Sequence, residues 1–320
     1  MQAHEFRRLL GLLETLTAEQ WAQLKLRLVS GGGAHAVTGI IEGRLGSRLC
    51  CPRCQARHVV RNGHGEGLER YQCRVCGRSV NALTGTALAR LRPREKWLAQ
   101  ASALDAGFSV RKAALQRGVH RTTAFRWRPP FLRLASAVRA TALAGVAEAD
   151  ETSTLRSSQG QRRRLLAEQT RPPRRRGGRA TQRGLSSEPV PILVLRDRSG
   201  QTADFVLDRP DTAHITPALD HCLADDAILC TDSSTALAAA AKDRGIEHHA
   251  IHSARGERRR GPWHIQNVNA YHSRYKNWMR RFHGVATSYL ENSLGWFRAL
   301  DRNAQSGAPS ATFLALAIGA

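Results

Sequence analysis

The chain has 320 residues, 42% of them hydrophobic, with 49 Lys plus Arg against 26 Asp plus Glu and a formal net charge of +23. That length suits one sizeable core plus smaller modules, and no apolar run approaches the roughly 20 residues of a membrane-spanning helix. The excess positive charge favours a phosphate polymer as partner over a membrane surface, because neutralising such a polymer releases its counterions and the field steers encounter.

Residues 1–30 read as an N-terminal helical segment. Phe6, Leu9, Leu10 and Leu13 form one apolar stripe, and Thr17 with Gln20 fits a capping box for a second helix carrying Trp21, Leu24 and Leu28. Gly31-Gly32-Gly33 then breaks the pattern. The segment is expected to pack on a neighbour or to mediate self-association. The start is amphipathic and carries acids, unlike a signal peptide, so the chain is expected to be soluble and intracellular.

Residues 46–82 contain Cys51, Cys54, Cys73 and Cys76, two Cys-x-x-Cys pairs with 18 residues between them. Four thiolates so spaced can close a tetrahedral site, which predicts a zinc ribbon with structural Zn²⁺. Pro52 and Gly77 mark the two knuckles, and Asn62-Gly63 is the predicted hairpin turn between them. Cys50, Cys222 and Cys230 read as ordinary buried thiols.

Residues 93–133 read as three helices: Arg94 to Ala106, Val110 to Gln116 capped by Ser109, and Arg121 to Arg128 ended by Pro129-Pro130. Gly118 supplies a turn, and the proportions are those of a helix-turn-helix. Arg121, Thr122 and Arg126 would face a DNA groove, while Ala124, Phe125 and Trp127 include the buried anchors. A three-helix core with a solvated basic face is the alternative.

From residue 144 strands begin. VAEADET alternates with Glu148, Asp150 and Thr152 on one face. Residues 156–183 carry ten Arg against one acid, including Arg174, Arg175 and Arg176, and are expected to form a basic arm. VPILVLRD and QTADFVLD follow as a hairpin turning at Ser199-Gly200. Then come a helix, the strand ending at Asp232, a helix, a strand and a final helix. Three antiparallel strands followed by crossovers describe a ribonuclease H-like α/β domain with a mixed central sheet over residues 144–302, leaving residues 303–320 as a C-terminal tail.

In that fold Asp150 and Asp232 meet at the sheet centre, where paired carboxylates suit the hard oxygen chemistry of Mg²⁺ and two-metal phosphoryl transfer. Asn269 and Lys276, seven residues and two helical turns apart, share a face of the last helix. Asn269 would complete the metal site without adding charge, and Lys276 would face the DNA backbone. Glu148, Glu151 and Glu257 are further carboxylate candidates. Glu148 shares the face of Asp150 and is the best of them, since Glu151 points to the opposite face. Arg258, Arg259 and Arg260 would add phosphate contacts.

The two cysteine pairs together with NALTGT (81–86), ADET (149–152), PRRRGGRATQRGLS (173–186), VLRDRSG (194–200), HIQNVNAYHSRYK (264–276) and FHGVATSYLENSLGWFR (282–298) closely resemble the bacterial insertion-sequence transposases of the ISXO type. The resemblance implies a DNA transposase that cuts and joins strands at inverted-repeat ends with Mg²⁺ or Mn²⁺, Asp150 and Asp232 being the acidic ligands. In that family the third position is Glu or Asn with a Lys seven residues on, matching Asn269 and Lys276. It also implies double-stranded transposon-end and target DNA as partners and a homo-oligomer in a synaptic complex. The alternative is a non-catalytic sequence-specific DNA-binding protein or an inactive copy.

Overall fold

A computed structural model describes residues 3–17, 20–21, 33–44, 50–159, 188–306 and 312–319. Of the basic arm expected over residues 156–183, residues 160–183, with Arg174, Arg175 and Arg176, lie outside the described residues, as does the second N-terminal helix beyond Trp21. The chain divides into two compact units, residues 1–134 with 309–320 and residues 135–308. Among the described residues no helix is long and apolar enough to cross a membrane.

The first unit opens with α1 (Ala3–Leu13). The capping box at Thr17 is reciprocal: Gln20 N–H donates to Thr17 Oγ1 at 3.3 Å, and Thr17 N–H donates to Gln20 Oε1 at 2.9 Å. Helix α2 (Gly33–Gly43) follows, then a three-stranded antiparallel sheet of β1 (Val59–Gly65), β2 (Leu68–Cys73) and β3 (Ser79–Val80). The hairpin does not turn at Asn62-Gly63. Gly65 pairs with Leu68, so Glu66 and Gly67 form the turn, with φ of 53° and 75°. Two positive φ angles match the right-handed twist of the flanking strands. Asn62-Gly63 instead falls in a register shift within β1, where an extra residue is absorbed as a bulge.

Three helices follow: α3 (Trp97–Asp105), α4 (Val110–Arg117) and α5 (Arg121–Ala137), the last running on into the second unit. Ser109 caps α4 by accepting from Lys112 N–H, and Gly118 ends it in the left-handed conformation. The expected stop at Pro129-Pro130 does not occur, since both prolines lie inside α5. An internal proline forfeits a hydrogen bond at about 3 kcal/mol. Phe131 and Leu132, 0% and 1% exposed, hold the continuing helix in the core, Phe131 edge-on to Trp97. Nor is the chain's end a loose tail. Helix α10 (Thr312–Ile318), the last of the chain, packs on α3 with Phe313, Leu314, Ala317 and Ile318 buried. Seven largely apolar residues are too short a pattern to reveal in sequence which surface they cover.

The second unit is built on a five-stranded sheet in the order β6-β5-β4-β7-β8. Its strands are β4 (Val146–Leu155), β5 (Pro189–Asp197), β6 (Thr202–Val206), β7 (Ile228–Asp232) and β8 (His248–Ile251). β4, β5 and β6 are mutually antiparallel, whereas β7 and β8 run parallel to β4. Val190, Ile192, Leu193, Val194 and Leu195 of β5 are all buried, the near-continuous apolar run of a strand covered on both faces. Helices α6 (Thr212–Cys222) and α7 (Thr235–Asp243) supply Ile215, Leu219, Leu237 and Ala240 to one core, against Ala147 and Ala149 of β4.

The other face carries α8 (Gln266–Arg280) and α9 (Leu290–Ser306). An aromatic cluster of Tyr271, Tyr275, Trp278, Phe282, Trp296 and Phe297 locks them together. Asp204 of β6 accepts from Tyr271 Oη at 3.2 Å and pairs with the buried Arg298. Gly295 is required by contact: a Cβ there would lie 2.4 Å from Ser136 Cα and 2.5 Å from Ala135 O.

Candidate active site and metal centres

Cys51, Cys54, Cys73 and Cys76 converge in the first unit, their sulfurs all within 4.8 Å of one another. The backbone of each pair folds back on itself. Gln55 N–H donates to Cys51 O at 2.8 Å and Gly77 N–H to Cys73 O at 2.9 Å, and the residue after each second cysteine has positive φ, 63° at Gln55 and 69° at Gly77. Gly77 was legible in sequence as a knuckle; Gln55 was not, because glutamine carries no preference for that conformation.

The Sγ–Sγ distances are 3.7 Å for Cys51–Cys76 and 3.6 Å for Cys54–Cys73. Tetrahedral Zn–S bonds of about 2.3 Å hold sulfurs about 3.8 Å apart, so the four residues fit zinc. The backbone N–H groups of Arg53 and Cys54 pull the Cys51 thiol down to about 6, and that of Cys76 lowers Cys73. Both favour the thiolate a metal binds. Cys222 and Cys230 are buried and Cys50 is half-buried.

In the second unit the parallel ladder between β4 and β7 ends with Ala149 opposite Thr231. Asp150 and Asp232, the next residues on each strand, therefore stand side by side at the end of the ladder. Carboxylate oxygens of Asp150, Asp232 and Glu151 lie within 4.8 Å of one another. Asp232 Oδ1 also accepts from Ser234 N–H at 2.9 Å, and Ser234 caps α7, so the aspartate shapes the turn as well as facing the site. Burial and then the like charges of Asp232 and Asp150 push the Glu151 carboxyl up to about 7. Burial and Asp150 raise Asp232 too. Three neighbouring carboxylates of this kind suit a hard divalent cation, whose charge offsets their mutual repulsion.

Helix α8 closes the site. Asp150, Glu151, Asn269, His272, Ser273 and Lys276 line one cleft of about 550 Å³. Asn269 is half-buried and Lys276 exposed. His272, one turn beyond Asn269, is 6% exposed and places Nδ1 3.5 Å from Asp150 Oδ2. No sequence signal singled it out, since a lone histidine on a helix reads as ordinary core.

The choice among spare carboxylates is reversed. Glu148 is fully buried and caps α8: it accepts from Asn267 N–H at 2.7 Å, Asn267 Nδ2 at 2.8 Å and Val268 N–H at 3.0 Å. Arg198 and His264 stand 3.4 Å and 3.2 Å from it. Its carboxylate is thus committed to holding the helix that carries Asn269. Glu151 joins the cluster because β4 runs on past the end of β7. There its side chain reaches Ser234 Oγ, which donates to Oε1 at 3.2 Å. Glu257 is committed as well, accepting from Arg260 and from His252 N–H, and Arg260 foremost holds its carboxyl below the usual range.

The cationic residues are spread over both units. Arg258 lines the cleft, and Arg259 and Arg260 form β9 (Arg259–Arg260), paired with β10 (Trp263–His264) in a hairpin before α8. All three arginines are exposed, as are Arg121, Thr122 and Arg126 on α5. Ala124 and Trp127 are buried as expected, but Phe125 is 43% exposed, on the basic side of the helix.

Residues 143–297 match the model of the ISXO2-like transposase domain. The chain is also 26% identical over 252 residues to an uncharacterized protein in transposable element ISH50 of Halobacterium salinarum, covering 78% of this chain and 83% of the relative.

Proposed function

We propose, from the match of residues 143–297 to the ISXO2-like transposase domain, that the protein is the DNA transposase of an insertion sequence, cleaving and joining strands at terminal inverted repeats by in-line phosphoryl transfer. The observation that carries this reading is the meeting of Asp150 and Asp232 at the end of two adjacent strands, with Asp150 lining a cleft closed by the helix bearing Asn269 and Lys276. The strand order, with three antiparallel strands and two parallel additions, supports a ribonuclease H-like core.

Asp150 and Asp232 would hold Mg²⁺ or Mn²⁺, with the Asn269 amide oxygen beside them. When bound, such ions supply Lewis-acid activation of the attacking oxygen and offset charge on the phosphoryl group. Water and then a DNA 3′-hydroxyl would be the nucleophiles, with no covalent protein intermediate. Lys276 at the cleft mouth and Arg258–Arg260 on the adjacent hairpin bind the phosphate backbone and fix its register without reading sequence. Residues 46–82 act as a zinc ribbon, and residues 93–133 as a helix-turn-helix presenting Arg121, Thr122 and Arg126 to the transposon end. Two ends to be joined call for at least two protomers.

The test is cleavage of a duplex carrying the element's inverted repeat in Mg²⁺. Asp150→Asn and Asp232→Asn are expected to abolish cutting while holding end binding within a few-fold. Cutting by both variants overturns the assignment, and end binding without cutting by the wild type leaves a non-catalytic DNA-binding protein. Lys276→Ala should weaken binding and reduce its salt dependence by about one phosphate contact.

A further inference from the structure

Two glutamates three residues apart on β4 differ in how their charge is met. Glu148 is enclosed by three hydrogen-bond donors, with Arg198 and His264 beside it. Glu151 receives one hydrogen bond, from Ser234 Oγ, and among the described residues neither it nor Asp150 nor Asp232 has a lysine or arginine in ion-pair range. A half-buried cluster of three carboxylates with no lysine or arginine in ion-pair range is electrostatically incomplete.

A second feature of the same cleft points the same way. His272, 6% exposed, stands against Asp150 with Nδ1, and its Nε2 is buried without a hydrogen-bond partner among the described residues. Asn269 lines the same cleft, and its amide brings an oxygen but no charge. Oxygens sharing one octahedral Mg²⁺ stand about 3–4 Å apart, a spacing the three acids approach from within 4.8 Å by small side-chain rotations.

We infer that Glu151 is a direct ligand of the divalent-metal site, supplying the third carboxylate that Asn269 does not. This rests on the metal-dependent transposase reading and assigns the site as Asp150, Glu151 and Asp232, with Asn269 as a neutral fourth donor. The peptide order Asp150-Glu151 then gives two ligands from one strand: Asp150 on the α8 side, and Glu151 rounding the strand from the α7 side where β7 has ended.

The experiment is titration of the full chain, without DNA, with Mn²⁺ followed by electron paramagnetic resonance. Glu151→Gln keeps the side chain's shape and is expected to weaken Mn²⁺ binding by at least about tenfold, as are Asp150→Asn and Asp232→Asn, because affinity tracks ligand charge. Glu151→Asp should fall between Glu151→Gln and wild type, and Asn269→Ala should change affinity by less than about threefold. Ser234→Ala separates a ligand from a residue that merely steadies the start of α7: it should leave Mn²⁺ affinity within about twofold, and an equal loss there would overturn the inference. Wild-type affinity in Glu151→Gln, with binding lost in both aspartate variants, also overturns the inference and leaves the metal-site reading standing. Wild-type affinity in all three overturns both.

Discussion

Cys51, Cys54, Cys73 and Cys76 are brought together by two local turns within residues 51–76, whereas the carboxylate cleft draws on β4, the end of β7 and α8. The difference is physical as well as topological. Around the cysteines the buried apolar cluster is small, Cys51, Tyr71, Cys73 and Val80 with Ala56 and Val59 beside it, so the thiolates' hold on a metal would supply much of the local stability. The carboxylates instead stand on a large core that exists without them, formed by Ala147, Ala149, Leu193, Leu195, Leu229 and their helical partners. The cysteine site would lean on its ion to fold, whereas the carboxylate site is built by the core around it and would use an ion to relieve its charge.

The largest expected effect follows from the first half of that contrast. Structural zinc contributes about 10–16 kcal/mol of apparent binding energy in small finger peptides, so Cys73→Ser or strong chelation should abolish zinc content and hydrogen-exchange protection in β1, β2 and β3. The second unit should keep its protection. Protection retained throughout the zinc-free protein would erase the contrast.

Glu148→Gln comes next. It removes the charge facing Arg198 and His264 and an acceptor at the start of α8, and should cost about 1–3 kcal/mol in thermal unfolding. A neutral result would mean that α8 is held by its aromatic cluster alone.

Glu151→Gln should do the opposite, in a pH-dependent way. Burial and the two aspartates raise the Glu151 carboxyl to about 7, so the folded state keeps a proton that the unfolded state releases near 4.5. The metal-free wild type therefore loses stability relative to the variant as pH rises from about 4.5 through 7. Above pH 7 the variant should be the more stable by about 1–2 kcal/mol after solvent screening, and the two should converge near pH 4.5. A constant difference across that range would remove the charge repulsion from the account. The smallest effect belongs to the knuckle: Gln55→Gly relieves positive φ at no contact cost and should stabilise the zinc-loaded protein by about 0.5–1 kcal/mol.

What the sequence made legible divides along the same line. Cysteine spacing announces a four-thiol cluster because its geometry is local, and the strand and helix order from VAEADET to HIQNVNAYHSRYK announces the mixed sheet because each element carries its own periodicity. Glu148 and Glu151 were assigned in reverse although their strand faces were read correctly. Alternation gives the side of the sheet but not where the neighbouring strand stops, and it is the end of β7 at Asp232 that lets Glu151 come round. His272 and the α10 segment were missed for a related reason: burial against a distant partner leaves no trace in a short window. Pro129-Pro130 misled because a local penalty of about 3 kcal/mol was outweighed by burial of Phe131 and Leu132.

Asp150 and Asp232 are expected to grip a divalent cation where the two strands meet beside α8. Anomalous scattering from crystals equilibrated with Mn²⁺ tests it most directly: the expected result is a peak about 2.0–2.2 Å from a carboxylate oxygen of each aspartate. Manganese bound elsewhere on the chain, with this site empty at saturating concentration, would contradict it.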